Sequence, residues 1–179
     1  DVFQGIGWTP IVSPAKRPLF EVLGKKDISP DFTFTELNAN GEIVIATEQA
    51  TYYPIFYIFP LAENRKALGL NLASLPQRLS LLLRAAESSV PLATGPIKLV
   101  QGSKEQKGII LYLPILLAPP LSTTSPETSV PGFISGVFQM QGLLHSLVEQ
   151  AKSKNHGITL IDVTEADHPS TLFETDKAA

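Results

Sequence analysis

Side chains that could perform catalysis or hold a metal are few and scattered in this sequence. The three histidines are His145, His156 and His168, and none has a second histidine at the spacing of a metal-binding pair. His168 follows Glu165 and Asp167, so a surface metal site is one interpretation. A solvated loop is the favoured interpretation of such a polar stretch, and we predict no metal.

The motifs of the common enzyme classes are also missing. The chain has no cysteine, no Gly-x-Ser-x-Gly turn, no glycine-rich phosphate loop and no His-Glu-x-x-His pair. Its net charge of -3 offers no basic surface to phosphates. We therefore expect a protein that is not an enzyme, uses no cofactor and binds no nucleic acid.

The residues best suited to binding a ligand are the tyrosines. Tyr52, Tyr53, Tyr57 and Tyr112 are all four tyrosines of the chain, and the first three lie near an aromatic segment that ends at Phe59. A sheet face with several rings and a few hydroxyls suits a small planar ligand. The alternative is ordinary core packing with hydroxyls at its rim, and the tyrosines alone favour that alternative.

The first three of these tyrosines lie in the first half of the chain, which is predicted to form short strands. A run that alternates at period two at 32–35 and a second β-rich run at 43–46 flank Asn40-Gly41, which predicts a β-hairpin. Residues 55–59 predict a third strand. Before the hairpin, a helix is expected, with two alternatives: a start at Ser13-Pro14, or a start nearer Pro18 and an end at Gly24.

Two amphipathic helices follow from apolar residues at helical spacing. Leu79, Leu82, Leu83 and Ala86 share one helical face, with Ser74 as the expected cap. A second stripe runs from Met140 to Ala151, with a stop at 155–157. The remaining strands are expected at 97–100, 108–117, 132–138 and 158–163.

These elements predict an α+β fold with an antiparallel sheet and packed helices. With 44% hydrophobic residues, the chain can bury a substantial core. Residues 119–131 are rich in proline, serine and threonine, which indicates a linker. The chain is therefore expected to form a larger first unit and a smaller second one.

Six motifs in order resemble those of the CHASE domain, over roughly residues 3 to 163. They follow an opening at Ile6-Gly7-Trp8-Thr9-Pro10, which also resembles that of the family. The motifs are Tyr53-Pro54 with Pro60; Asn64 with Ala67-Leu68-Gly69; Pro76-Gln77-Arg78 with Arg84-Ala85; Thr94-Gly95-Pro96-Ile97-Lys98-Leu99-Val100; Gly108-Ile109-Ile110-Leu111-Tyr112-Leu113-Pro114; and Gly132-Phe133 to Val137-Phe138 with Leu143-Leu144.

The resemblance implies an extracytoplasmic, periplasmic sensor held between two transmembrane helices, ahead of a histidine kinase or a diguanylate cyclase. It implies two PAS-like units: a membrane-distal ligand-binding unit at residues 1–118, the linker at 119–131, and part of a membrane-proximal unit at 132–179. It further implies an unidentified small-molecule ligand, a homodimer in the full-length receptor, and a stalk helix and flanking membrane helices outside this sequence.

The resemblance also implies site residues. Thr94 matches a threonine whose loss disables plant members, and we expect it to support the loop geometry more than to contact the ligand. Val100 matches a leucine whose backbone contacts the hormone. Tyr112 replaces a pocket threonine. Arg78 falls, within a residue, where plant members use an aspartate to bind an adenine ring. The full predicted ligand-binding set is Arg78, Tyr112, Tyr57, Thr94, Val100, Phe59 and Ile110.

The arginine changes the expected ligand. An aspartate accepts hydrogen bonds, whereas an arginine only donates them and favours a carboxylate or phosphate. We therefore expect a small ligand, with an anion favoured, that has Arg78 as counter-ion and Tyr112 and Tyr57 as walls. The alternative for Arg78 is an ion pair on the helix surface with Glu63 or Glu48.

Three functions remain open at this point. The first is a ligand-gated sensor. The second is a structural or dimerisation module of the same receptor, with Tyr112 filling the pocket. The third is a solute-binding domain of an unrelated class.

Overall fold

A computed structural model describes residues 2–101, 104–117, 129–162 and 169–175. The strands are β1 (Phe3–Pro10), β2 (Thr35–Leu37), β3 (Ile43–Ile45), β4 (Tyr57–Phe59), β5 (Leu92–Ala93), β6 (Ile97–Gln101), β7 (Lys104–Leu117), β8 (Ser129–Gln139), β9 (Thr159–Asp162) and β10 (Ser170–Glu174). The α-helices are α1 (Arg17–Asp27), α2 (Leu61–Asn64), α3 (Pro76–Ser88) and α4 (Met140–Ser153). No helix in these ranges has the length and apolar character needed to cross a bilayer.

The largest sheet has the strand order β4-β1-β8-β7-β5, and β6 pairs with β7. The β1–β4 and β6–β7 pairs are antiparallel. β2 pairs with β3 and β9 pairs with β10 in separate antiparallel sheets. This arrangement confirms the predicted α+β, PAS-like class.

The chain divides into two compact units. The larger unit comprises Gly5–Leu92 and Leu111–Gly136, and the smaller unit comprises Asp1–Gln4, Ala93–Ile110 and Val137–Ala179. Both units contain segments from either side of the predicted linker. Of that linker, 119–128 lie outside the described residues and 129–131 belong to β8. The assignment of 1–118 and 132–179 to distal and proximal units stays a prediction.

The core of the larger unit is aromatic. Phe32, Phe34, Tyr52 and Phe56 are buried together, and Phe32 contacts both Phe34 and Phe56 edge to face. Trp8, the only tryptophan of the chain, packs against this cluster. Its fluorescence should therefore report the folding of this core.

A shared carboxylate holds α1 to this core. Glu21 Oε1 accepts hydrogen bonds from Arg17 Nε at 3.0 Å, Thr33 Oγ1 at 3.1 Å and the Phe34 amide at 3.0 Å. Arg17 Nη1 also donates to the carbonyl of Ala46 and the hydroxyl of Tyr52. The pair therefore connects the helix to two segments distant in sequence.

Helix α1 begins at Arg17, as the alternative start nearer Pro18 predicted, but it ends at Asp27 and not at Gly24. A 3₁₀ turn at Pro14–Lys16 precedes α1, so the proline at 18 falls in the first turn of the helix, where a missing amide costs nothing. Ser74 does not cap α3. It ends a separate 3₁₀ turn, and its hydroxyl donates to the carbonyl of Asn71. At the other end of the chain, the predicted stop of α4 is observed, with Asn155 at φ 59°.

Candidate functional site

The predicted ligand-binding residues fall into three local groups. In the larger unit, Arg78 contacts Tyr112, while Tyr57 and Phe59 line a separate cleft. The third group, Thr94, Val100 and Ile110, belongs to the smaller unit. The binding roles of all seven residues stay predictions, and each group is described by itself below.

The Arg78–Tyr112 pair joins helix α3 to strand β7. Arg78 Nη1 donates to the Tyr112 hydroxyl over 3.2 Å. Tyr112 is only 2% exposed, and Arg78 is half-buried. Burial raises the pKa of the Tyr112 phenol above its usual value, while the charge and hydrogen bond of Arg78 act in the opposite direction. Tyr112 is therefore neutral at physiological pH and accepts the arginine N–H.

Arg78→Gln should raise the pKa of Tyr112 further. The neutral amide removes the positive charge that favours the phenolate, while the burial that opposes ionisation remains. The measurement is a pH titration of the tyrosine 13Cζ signals by NMR, with Tyr112→Phe to assign the resonance. Arg84→Gln, an exposed change on the same helix, is the control. An unmoved titration of Tyr112 in Arg78→Gln would contradict the coupling.

Arg78 has no carboxylate partner among the described residues. The described ion pairs are Arg17–Glu21 and Lys152–Glu149, so the alternative pairing of Arg78 with Glu63 or Glu48 is not formed. A guanidinium carries five N–H donors, and the phenol accepts one bond from it. The remaining donors of Arg78 are directed to no described protein acceptor, and they are free for solvent or a ligand.

Arg17 shows what a structural arginine of this fold looks like. It bonds to a carboxylate, a carbonyl and a phenol. Its guanidinium also lies 5.1 Å from the Tyr52 ring centre and 5.6 Å from that of Phe34. Arg78 has a single partner of this kind. The contrast distinguishes a cation that holds the fold together from one with unused hydrogen-bonding capacity.

The second group lines an apolar cleft of about 280 Å³ on the sheet. The β1–β4 register places Ile6 opposite Phe59 and Trp8 opposite Tyr57. Tyr57 stacks on Trp8 with ring centres 5.8 Å apart, yet it is 44% exposed, and Phe59 is 69% exposed. The lining residues are Ile6, Gly7, Trp8, Tyr57, Ile58, Phe59 and Ile134. None of them is charged, so the cleft contributes rings and no counter-ion.

The third group is a backbone arrangement in the smaller unit. The Thr94 amide donates to the Ile110 carbonyl at 2.9 Å, and the Ile110 amide donates to Thr94 Oγ1 at 3.0 Å. Val100 lies on β6, opposite Glu105 of β7. Thr94 thus fixes the chain just before β6 against β7, and its loop-supporting role stays a prediction.

Metal chemistry has no support within the described ranges, which contain no group of three or more His, Asp or Glu side chains placed to hold an ion. The three residues of the surface metal site considered above, Glu165, Asp167 and His168, lie outside the described residues.

Comparison with protein-family models decides the family. The CHASE domain model matches residues 1–173 of the 179 in the chain. The chain belongs to the CHASE domain family. No curated protein matches it. The CHASE domain is an extracellular sensor domain of signalling receptors and is not a catalytic domain.

The cleft of this CHASE domain contains residues that the predicted site omitted. Trp8 and Ile6 are two of its aromatic and aliphatic lining residues. The sequence marked both as part of the opening motif, without indicating a strand. The sequence feature that could have identified them is their spacing of two residues around Gly7. In an extended segment, this spacing places both side chains on one face.

Proposed function

We propose that this CHASE domain is the ligand-sensing module of a transmembrane signalling receptor, and that Arg78 binds a small anionic ligand beside Tyr112. The observation that carries the proposal is the half-buried residue Arg78, whose guanidinium lacks a carboxylate among the described residues. A cation that no protein carboxylate neutralises gains from a charge-assisted hydrogen bond to an anionic ligand.

The chemistry of Arg78 favours a carboxylate or phosphate. The guanidinium presents its donors in a planar fork, which matches two oxygens of one anionic group. Tyr112 orients the fork, because one N–H is held by the buried phenol. Tyr112 stays neutral at physiological pH, so it adds no negative charge that would repel the ligand.

A matching anion should raise the melting temperature of the chain. A ligand at about 100 times its dissociation constant adds about 2.7 kcal/mol to the free energy of unfolding. For a chain of this length, that corresponds to about 5–10 °C. The measurement is a thermal shift assay with dicarboxylates, amino acids, aromatic acids, phosphate esters and cytokinins. Arg78→Gln should lose the shift produced by the anion that binds.

Arg84→Gln is the matched control, since it removes the same charge from an exposed position of α3. It should keep the shift. Equal losses in both variants would mean that net charge, and not Arg78, governs binding. A shift from a neutral cytokinin that survives Arg78→Gln would contradict the anion assignment.

A second function is favoured by the burial of Tyr112. At 2% exposure, its ring fills protein space that a ligand would otherwise occupy, as expected for a structural or dimerisation module. The same assay separates the two functions. If no compound shifts the melting temperature of the wild-type chain or of Tyr112→Thr, which removes the ring, the structural module is preferred.

The receptor context is part of the proposal. We place the domain in the periplasm between two inner-membrane helices, as a homodimer that reports to a cytoplasmic histidine kinase or diguanylate cyclase. The family supports the extracellular side of this arrangement. Reporter fusions to the ends of the domain in the full-length protein would test it, and a cytoplasmic location would overturn it.

A further inference from the structure

Strand β3 has an open edge. Among the strands that the structure describes, it pairs only with β2, in a two-stranded sheet. The opposite edge of β2 is covered, because Thr35 donates to the Gly69 carbonyl and accepts from the Asn71 amide. The hairpin therefore has one edge available for pairing, and unpaired edges are templates for another strand.

The phase of the β2–β3 ladder shows which groups point outward. Opposite residues of an antiparallel pair alternate between bonded and non-bonded pairs. Thr35 directs its backbone groups away from β3, and so does Leu37, whose amide donates to Ser74 Oγ. Thr35 and Leu37 therefore form non-bonded pairs with Ile45 and Ile43, which lie opposite them on β3. In such pairs both residues point their N–H and C=O groups away from each other, so those of Ile43 and Ile45 point to the open edge. No described residue pairs with these groups.

The side chains of this edge are apolar and exposed. Ile43, Val44 and Ile45 are 48%, 37% and 68% exposed. Proline and charged side chains usually protect a free edge, and this strand contains neither. The order Ile-Val-Ile is also the same in both directions, so a second copy running antiparallel presents a matching strand.

We propose that β3 pairs with β3 of a second copy of this chain, antiparallel, about a two-fold axis at Val44. In this register, Ile43 of one copy faces Ile45 of the other. Both carry outward groups, so two such pairs form four hydrogen bonds. Val44 of one copy lies opposite Val44 of the other copy, and the two form a non-bonded pair. The four strands form one sheet and leave no edge free, which closes the assembly at a dimer.

Charge disfavours two of the alternative registers. With Val44 opposite itself, Glu42 faces Ala46 and Glu48 faces Asn40, so no carboxylates meet. A register centred on Glu42 places Glu42 of one copy opposite Glu42 of the other. A register centred on Ile45 places Glu42 of one copy opposite Glu48 of the other. Like charges directly opposite are destabilising. The contact is small compared with standard interfaces, so a dissociation constant on the order of a millimolar is expected for this chain alone.

Cysteine scanning tests the register directly, because the chain has no cysteine of its own. In the proposed dimer, the Cα atoms at position 44 are about 4.5 Å apart, within disulfide range. Those at position 43 are about 8 Å apart, beyond it. Under mild oxidation, Val44→Cys should therefore form a disulfide dimer at least about tenfold faster than Ile43→Cys. Ile43→Cys mixed with Ile45→Cys should form a heterodimer readily.

Ile45→Pro provides a second test in sedimentation experiments at rising concentration. It removes an outward N–H that the inner ladder does not use, so the hairpin is retained while pairing between copies is lost. Melting followed by Trp8 fluorescence checks that the chain still folds. Equal cross-linking at 43 and 44, or a dimer unaffected by Ile45→Pro, would overturn the proposal. A chain that stays monomeric and forms disulfides no faster at position 44 than at position 43 would also overturn the proposal. The open edge of β3 would then be available to an extended segment of another protein.

Discussion

Gly69→Ala should lower the free energy of unfolding of the larger unit by about 3–4 kcal/mol. Gly69 has a φ of +79°, a conformation that costs a side chain about 1 kcal/mol. A Cβ there would also collide with the backbone carbonyl oxygen of Thr33, which cannot rotate away. Because Gly69 bonds through its amide to Ile55 and through its carbonyl to Thr35, relieving the collision would disturb two segments. Urea unfolding followed by Trp8 fluorescence measures the loss.

Gly41→Ala is the matched control for this change. Gly41 has nearly the same φ, +77°, but nothing lies within 4 Å of a Cβ at that position. Its replacement should cost only the backbone term, about 1 kcal/mol. Equal losses for the two variants would show that the positive φ alone matters. The excess at Gly69 measures the close approach of the two chain segments.

Local signals in the sequence were sufficient for the existence of the hairpin and the long helices, although the first strand of the hairpin lies at Thr35–Leu37 and not at 32–35. The Asn40-Gly41 turn supplies the positive φ that a tight turn needs, and β2 and β3 pair around it. The stripe from Leu79 to Ala86 lies within α3, where Leu82 is fully buried. These elements depend on contacts close in sequence, so pattern and propensity determine them.

Strand β1 was not predicted as a strand, and its glycines explain why. Glycine weakens strand propensity, but here small residues are required by close approach. A Cβ on Gly7 would lie 2.7 Å from Ser135 Oγ, and one on Gly5 would lie 3.0 Å from the Phe59 carbonyl oxygen. β10 was also missed. Its partner β9 supplies the context that its own five residues do not reveal.

The sequence did not predict how the candidate site residues are grouped, and their binding roles stay predictions. Tyr112 and Tyr57 were expected to wall one pocket with Arg78, and the structure pairs Arg78 with Tyr112 while Tyr57 stacks on Trp8. Strand order decides such neighbours, and β1 lies between β4 and β8, which are far apart in the chain. No spacing within one sequence encodes that order.

The two arginines of the larger unit that contact tyrosines illustrate the same limit. Both Arg17 and Arg78 bond to a tyrosine hydroxyl, at the same distance of 3.2 Å. Only Arg17 has a carboxylate four residues later on its helix, at Glu21, and only Arg17 is neutralised. A carboxylate at this spacing is therefore the sequence feature that separates the structural arginine from the candidate ligand contact.

Glu21→Ala should lower the free energy of unfolding of the larger unit by about 2–4 kcal/mol. The change leaves the Arg17 charge without its carboxylate and the Phe34 amide without its acceptor. The loss is large because the Arg17 and Glu21 side chains are both about four-fifths buried, at 19% and 20% exposure. The Lys152–Glu149 pair has the same 3.0 Å separation but is largely exposed, so distance alone does not set the effect. Glu48→Ala, an exposed change in the same unit, should leave Trp8-monitored urea unfolding unaltered within error.

The Glu21 contribution should also depend on pH, with a sign fixed by its environment. Burial opposes ionisation of this carboxyl, but the bonds from Phe34, Arg17 and Thr33 outweigh it and hold its pKa below the usual value. The folded state thus binds the proton less readily than the unfolded state, so the contribution is complete above about pH 5 and declines as pH falls through the folded pKa. Comparing wild type with Glu21→Gln in urea at pH 7, pH 5 and pH 3 tests this, because the amide cannot titrate. The difference in unfolding free energy should shrink as the pH falls, and a difference independent of pH would mean that the geometry of the shared acceptor, and not its charge, anchors α1.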